Sequence, residues 1–152
     1  MLTRQPLHNR PAYLAGFDKG LFSPTVEERA ARYLRDHTEP GDGILVRGLS
    51  PGIYALADRH PVTRFPFHKL LLIEAPLSRM IPGLEKRRAE FLRRLHDDPP
   101  AYILIGTRDR NPFEPDDSMT GLKKFARFGE WVEEHYQPET RIGHFVVARR
   151  NP

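Results

Sequence analysis

The sequence predicts an α/β layered domain: a mostly parallel sheet of about four strands flanked by helices. Two observations carry this. Short, largely aliphatic runs bounded by glycine or proline, Ile44 to Arg47 and Ala101 to Gly106, read as strands buried on both faces. Segments with apolar residues at helical spacing lie before, between and after them. Strands that alternate with helices produce a parallel sheet. The final strand can also sit antiparallel at an edge, and the pattern does not choose. Most of the fifteen prolines fall between these elements, as punctuation.

Residues 1–22 lack periodicity and read as an arm or linker. Tyr13, Leu14, Phe17, Leu21 and Phe22 would lay it against a single domain over 23–150. Ser23-Pro24 starts the first helix, with the serine as cap and the proline at the first helical position, and Thr25 with Glu28 offers an alternative capping box. Val26, Ala30, Tyr33 and Leu34 follow at helical spacing, and Pro40-Gly41 closes the segment. After the Ile44 strand, Ser50-Pro51 opens a second helix through Ile53, Leu56 and Ala57. Val62 to Phe65 reads as a second strand cut short by Pro66, and Leu70 to Ile73 is ambiguous at that length. Pro82-Gly83 opens a third helix with Leu84, Phe91, Leu92 and Leu95 on one stripe. A polar loop, Thr107 to Asp117, follows the Ala101 strand. The fourth helix carries Leu122, Phe125, Phe128, Trp131 and Val132 and closes on Tyr136, and Arg141 to Arg149 forms the last strand.

Composition excludes several chemistries. Cysteine is absent, so disulfides, thiolate metal sites and a cysteine nucleophile are out. No apolar run approaches the roughly 18–20 residues needed to span a bilayer. Met1 to Arg10 is polar and lacks the apolar centre of a signal peptide, so the chain reads as a soluble polypeptide. The seven histidines show no metal-binding spacing. His37, His96 and His135 fall near helix C-termini, where a cation is favourable. Asp97-Asp98 and Asp116-Asp117 are sequence neighbours that suit caps and turns better than acid/base pairs. The chain implies no cofactor.

The net charge is +4, and arginine heavily outnumbers lysine. The third helix is the most basic element. Lys86, Arg87, Arg93 and Arg94 read as a solvated face or as a contact with anionic lipid headgroups. Nucleic acid is disfavoured, since no recognised module accompanies the charge.

Gly48-Leu49-Ser50-Pro51-Gly52 matches the G-x-S-x-G elbow of serine hydrolases, with Asp109 or Asp116 and His135 or His144 following in the right order. Pro51 argues against that use. The elbow needs a backbone N–H after the nucleophile, and proline has none. A second reading is an anion cradle at a helix start, contacted by Arg47, Ser50, Gly52 and Arg64. A third is a purely architectural corner with Ser50 as cap and Pro51 at the first helical position.

The succession of motifs goes further. A helix ends in Pro40-Gly41-Asp42, and Ile44-Leu45-Val46-Arg47-Gly48 follows. Then come Pro51-x-Ile53-Tyr54-Ala55-Leu56-Ala57-Asp58-Arg59 and Pro61-Val62-Thr63-Arg64-Phe65. Pro99-Pro100-Ala101-Tyr102-Ile103-Leu104 and a helix closing on Tyr136 complete it. Over roughly residues 24–148 this resembles the soluble C-terminal domain of bacterial polytopic GT-C-type glycosyltransferases. These membrane enzymes are related to dolichyl-phosphate-mannose protein mannosyltransferases and take sugar from a polyprenyl-phosphate carrier. The resemblance implies a non-catalytic accessory domain on the periplasmic or extracytoplasmic face. Its partners would be the membrane-embedded part of the same protein, the carrier and anionic headgroups. The family's catalytic acid lies in a loop near the N-terminal membrane helices. No position here matches it, so no catalytic residue is carried over.

Overall fold

The computed structural model describes residues 23–66, 71–72, 74, 77–110 and 116–152. The arm over 1–22, and parts of the 70–73 and 107–117 stretches, lie outside the described residues. Helix α1 spans Pro24–Asp36, strand β1 Ile44–Arg47 and helix α2 Gly52–Ala57. Helix α3 spans Leu84–Asp97, strand β2 Tyr102–Gly106 and helix α4 Ala126–His135. Strands β3, Tyr136–Ile142, and β4, Phe145–Arg150, close the chain.

The sheet has four strands in the order β1-β2-β4-β3. It is mixed, not mostly parallel: only β1 and β2 run parallel, while β4 is antiparallel to both β2 and β3. The cause is a hairpin that the sequence reading missed. Gly143, with φ of 58°, turns the chain back between Ile142 and Phe145. A Cβ there would also meet Val26 Cγ1 at 2.5 Å, so glycine is required twice over. β4 then enters the middle of the sheet and leaves β3 at the edge.

Two further expectations are corrected. Val62 to Phe65 is not a strand; the neighbouring chain makes a single parallel bridge, Ile44 with Pro61. Two hydrogen bonds define that bridge, Ile44 N–H to His60 O and Val62 N–H to Ile44 O. Pro66 and the exposed Arg64 leave nothing to extend it. The fourth helix is also shorter than expected. A 3-10 turn over Thr120–Lys124 precedes it and folds back so closely that a Cβ on Gly129 would lie 2.9 Å from Leu122 O. At its other end the chain passes directly from His135 into β3, so Tyr136 is the first strand residue.

Side-chain alternation along the strands builds two cores. Ile44, Val46, Leu104 and Val147 face α1 and α2, where Ala30, Leu34, Ile53 and Ala57 are buried. Leu45, Ile103 and Ile105 face α3 and α4, where Leu84, Phe91, Leu95, Phe128 and Trp131 are buried. The result is three layers. The caps follow the sequence at α1, where Ser23 Oγ accepts from Val26 N–H at 3.3 Å and Pro24 stands at the first position. At α2 they do not. Pro51 is itself the cap residue, and the Ser50 side chain makes no cap bond.

Tyr54 pins α2 to the sheet, its hydroxyl accepting from Val46 N–H at 2.9 Å. Burial pushes its phenol up from 10.0 to about 12, while the Val46 N–H pulls the other way. A raised acid pKa means this contribution is fully present below pH 10 and is lost as pH rises through about 12. Tyr54→Phe is expected to cost about 1–2 kcal/mol near neutral pH by orphaning the Val46 N–H. Urea unfolding between pH 10 and 12 should then show a shallower fall in stability than in the parent. The residual fall includes Tyr33, Tyr102 and Tyr136, all raised first by burial, and Lys124, raised by its bonds to Asp116 and Glu74.

Candidate functional site

A parallel strand pair opens a crevice at its carboxyl end, and ligands of α/β sheets bind there. Here β1 and β2 end side by side at Arg47 and Gly106. Five segments converge on that end: the Gly48–Gly52 corner, the Thr107–Asp109 stretch, the turn at Ser118, the start of α1 and the β3–β4 turn. They meet through polar contacts.

Asp109 is the centre. It is 4% exposed, and its carboxylate accepts from Ser118 N–H at 2.7 Å and from Ser118 Oγ at 2.6 Å. Asp109 Oδ2 would lie 2.7 Å from a Cβ on Gly106 and 3.3 Å from one on Gly48. The two glycines thus leave room for an anion, and the anion that occupies it is the protein's own. His144 closes the same end. Its carbonyl accepts from Thr107 N–H at 2.7 Å and Thr107 Oγ1 at 2.6 Å. Burial lowers the His144 imidazole below its ordinary value, while the charges of Asp109 and Glu27 pull it up.

The residues assigned to an anion cradle do not assemble into one. Arg47 is 2% exposed and its side chain lies on the Leu45 side of β1, with Nη2 2.8 Å from the Cβ position of Gly121. Arg64 stands on the exposed surface of α3, forked onto both oxygens of Glu90 and 4.4 Å above the Phe65 ring. That fork raises the Arg64 guanidinium and lowers the Glu90 carboxyl. Ser50 Oγ donates to Glu27 Oε1 at 2.7 Å. Gly52 is exposed, and a Cβ there would meet nothing within 4 Å.

The hydrolase partners also separate. Asp109 and His144 do reach the Ser50 end, but the serine proton is directed to Glu27 and not to an imidazole. Asp116 is paired with Lys124 at 2.9 Å. His135 stacks on Trp131, and its carbonyl accepts from Asn151 N–H. Asp117 serves as a cap, accepting from Arg108 N–H and Thr120 N–H. Burial opposes its ionisation, yet these bonds hold its carboxyl below the ordinary value. Among the described residues, no group of three or more His, Asp or Glu side chains could hold a metal ion.

The motif residues are instead used internally. Arg59, 8% exposed, reaches across the ends of two helices. It donates to Thr38 Oγ1 and Thr38 O, to Arg35 O at the end of α1, and to Ala57 O and Asp58 O at the end of α2. Tyr136 donates to Pro100 O at 2.7 Å and so joins the Pro99-Pro100 segment to the β3 edge. Glu27 and Ser118, which complete these networks, had no signal in the sequence. Their partners are 23 and 9 residues away, beyond any local spacing rule.

Of the five α3 cations, Lys86, Arg87, Arg93 and Arg94 are exposed and Arg88 is half-buried. Arg93 pairs with Asp97 at 2.8 Å, one helical turn on. Among the described residues, no helix is long and apolar enough to cross a membrane. Comparisons of the chain with protein-family models, with curated proteins and with solved structures returned no significant match.

Proposed function

We propose that this chain is a non-catalytic accessory domain of a polyprenyl-phosphate-sugar-dependent membrane glycosyltransferase, helping to position acceptor or carrier on the extracytoplasmic side. One observation carries the reading. The residues that make the chain resemble that family are engaged in holding the fold: Gly48 against Asp109, Tyr54 on Val46, Arg59 across two helix ends and Tyr136 on Pro100. A motif of this kind marks an architecture and leaves no nucleophile, acid or base poised for attack. That suits a domain whose chemistry is supplied by a membrane-embedded companion.

The decisive experiment has two arms. The upstream genomic reading frame is expected to encode a run of hydrophobic helices continuous with this chain. A reading frame without them, with no membrane protein co-purifying, overturns the proposal. The chain by itself is expected to transfer no sugar from a polyprenyl-phosphate donor, and turnover without a membrane partner overturns it equally.

The rival reading is a free-standing phosphate- or nucleotide-binding module on the Gly48–Gly52 corner. It requires a ligand to displace the Asp109 carboxylate from beside Gly48, and no contact described above favours it over the first.

A further inference from the structure

The outward face of α3 carries four exposed cations. At about 100° per residue, Lys86, Glu90, Arg93 and Asp97 form one outward stripe, with Arg87 and Arg94 along its flank. Leu84, Phe91 and Leu95 occupy the opposite, buried side. Both stripe carboxylates are neutralised, Glu90 by Arg64 from the neighbouring loop and Asp97 by Arg93. Lys86, Arg87 and Arg94 form no ion pair among the described residues. Lys86 and Arg87 also sit in the opening turn of the helix, where its dipole opposes a cation. Lys86 still adds through space to the lowering of Glu90 by Arg64, and Arg94 lies in the last turn, where the dipole favours it, but none of the three is tied down by a partner within ion-pair distance among the described residues. Just before the helix, Met80 is 76% exposed beside the exposed Arg79.

We infer that this face docks on an anionic phospholipid surface, with Lys86, Arg87 and Arg94 engaging headgroup phosphates and Met80 entering the apolar boundary beneath them. Charge complementarity selects the occupant. A convex helix presents its cations outward to a plane, and guanidinium groups grip phosphate oxygens in pairs. Juxtamembrane basic side chains gain most from such a surface. Methionine is flexible enough to fit the irregular boundary layer. A single-stranded nucleic acid would instead want aromatic platforms. The only aromatic residue of α3, Phe91, is buried, and Phe65 beside it lies beneath Arg64. The biological setting of this inference rests on the membrane-side reading above, but the surface is tested without any transferase.

The test is flotation of the full chain with phosphatidylcholine vesicles and with vesicles in which phosphatidylglycerol replaces part of the phosphatidylcholine. Binding is expected only to the second, weakening as salt is added. Combined Lys86→Gln, Arg87→Gln and Arg94→Gln should lower partitioning by about 100-fold, at roughly fivefold per cation. Removing the same charge from α1, by Arg29→Gln, Arg32→Gln and Arg35→Gln, should change it by less than about threefold, since those exposed cations lie on another helix. Met80→Ser should weaken binding several-fold with the same salt dependence.

A parent chain that ignores phosphatidylglycerol overturns the inference. So does an equal loss in the α1 variant, which would reduce the effect to net charge. Tighter binding of a duplex oligonucleotide through the same three cations also overturns it, in favour of a nucleic-acid surface. An unchanged Met80→Ser variant removes the apolar part. None of these outcomes touches the reading frame that decides the glycosyltransferase proposal, so the two can fail separately.

Discussion

Arg59→Ala is expected to lower stability by about 4 kcal/mol, the largest loss for any polar substitution in the described chain. Four backbone carbonyls, at Arg35, Thr38, Ala57 and Asp58, and the Thr38 hydroxyl share this one guanidinium. Bonds to a charged donor contribute about 1.5–3 kcal/mol each, and they do not add fully because several close on one group. Truncation strips the C-terminal ends of both α1 and α2, where helix dipoles favour a cation. For a chain of this size the midpoint of thermal unfolding should fall by roughly 10 °C. Arg59→Lys should recover little, because an ammonium has three donors on one atom and cannot span two helix ends. A lysine variant as stable as the parent would show that charge alone, without the planar fork, holds the junction.

Asp109→Ala ranks second, with an expected cost of about 3 kcal/mol. Ser118 is fully buried, and the substitution deprives both its N–H and its hydroxyl of their acceptor. It also empties the space beside Gly48 and Gly106. Asp109→Asn keeps one oxygen for the Ser118 N–H and should cost about half as much. The informative companion is Gly106→Ala, whose added methyl collides with the Asp109 carboxylate at 2.7 Å. In the parent it should destabilise by about 1–3 kcal/mol. On the Asp109→Ala background that penalty should largely disappear, which a double-mutant cycle by chemical denaturation would measure.

The sequence announced the layers of this fold more clearly than its sheet. Ile44–Arg47 and Tyr102–Gly106 are legible because a strand buried on both faces is a continuous aliphatic run. α1 and α3 are legible from caps and from the Leu84, Phe91, Leu95 stripe. β3 was not, because an edge strand has little to bury. Its residues Gln137, Pro138 and Glu139 are exposed and resemble a loop, and Pro138 mimics a break. Missing β3 also hid the hairpin and with it the antiparallel half of the sheet. The polar centre was half legible. Gly48 marks the corner, but the occupant of the space it borders with Gly106, Asp109, comes from the loop that follows β2. Arg47 and Arg64 seemed alike in sequence, yet strand parity turns one into the interior and a surface fork onto Glu90 holds the other.

The exposed rims of the sheet have a consequence for how this molecule can associate. An uncovered strand edge is a template on which another polypeptide adds a strand of its own. Neither rim offers that here. β1 is flanked by the chain at 60–62, which already satisfies Ile44 on its outer side. β3 carries Pro138, which has no N–H to give, and an irregular register between Pro138 and Thr140 that interrupts the ladder. Strand addition and stacking into fibrils are thereby disfavoured at both rims of the described sheet.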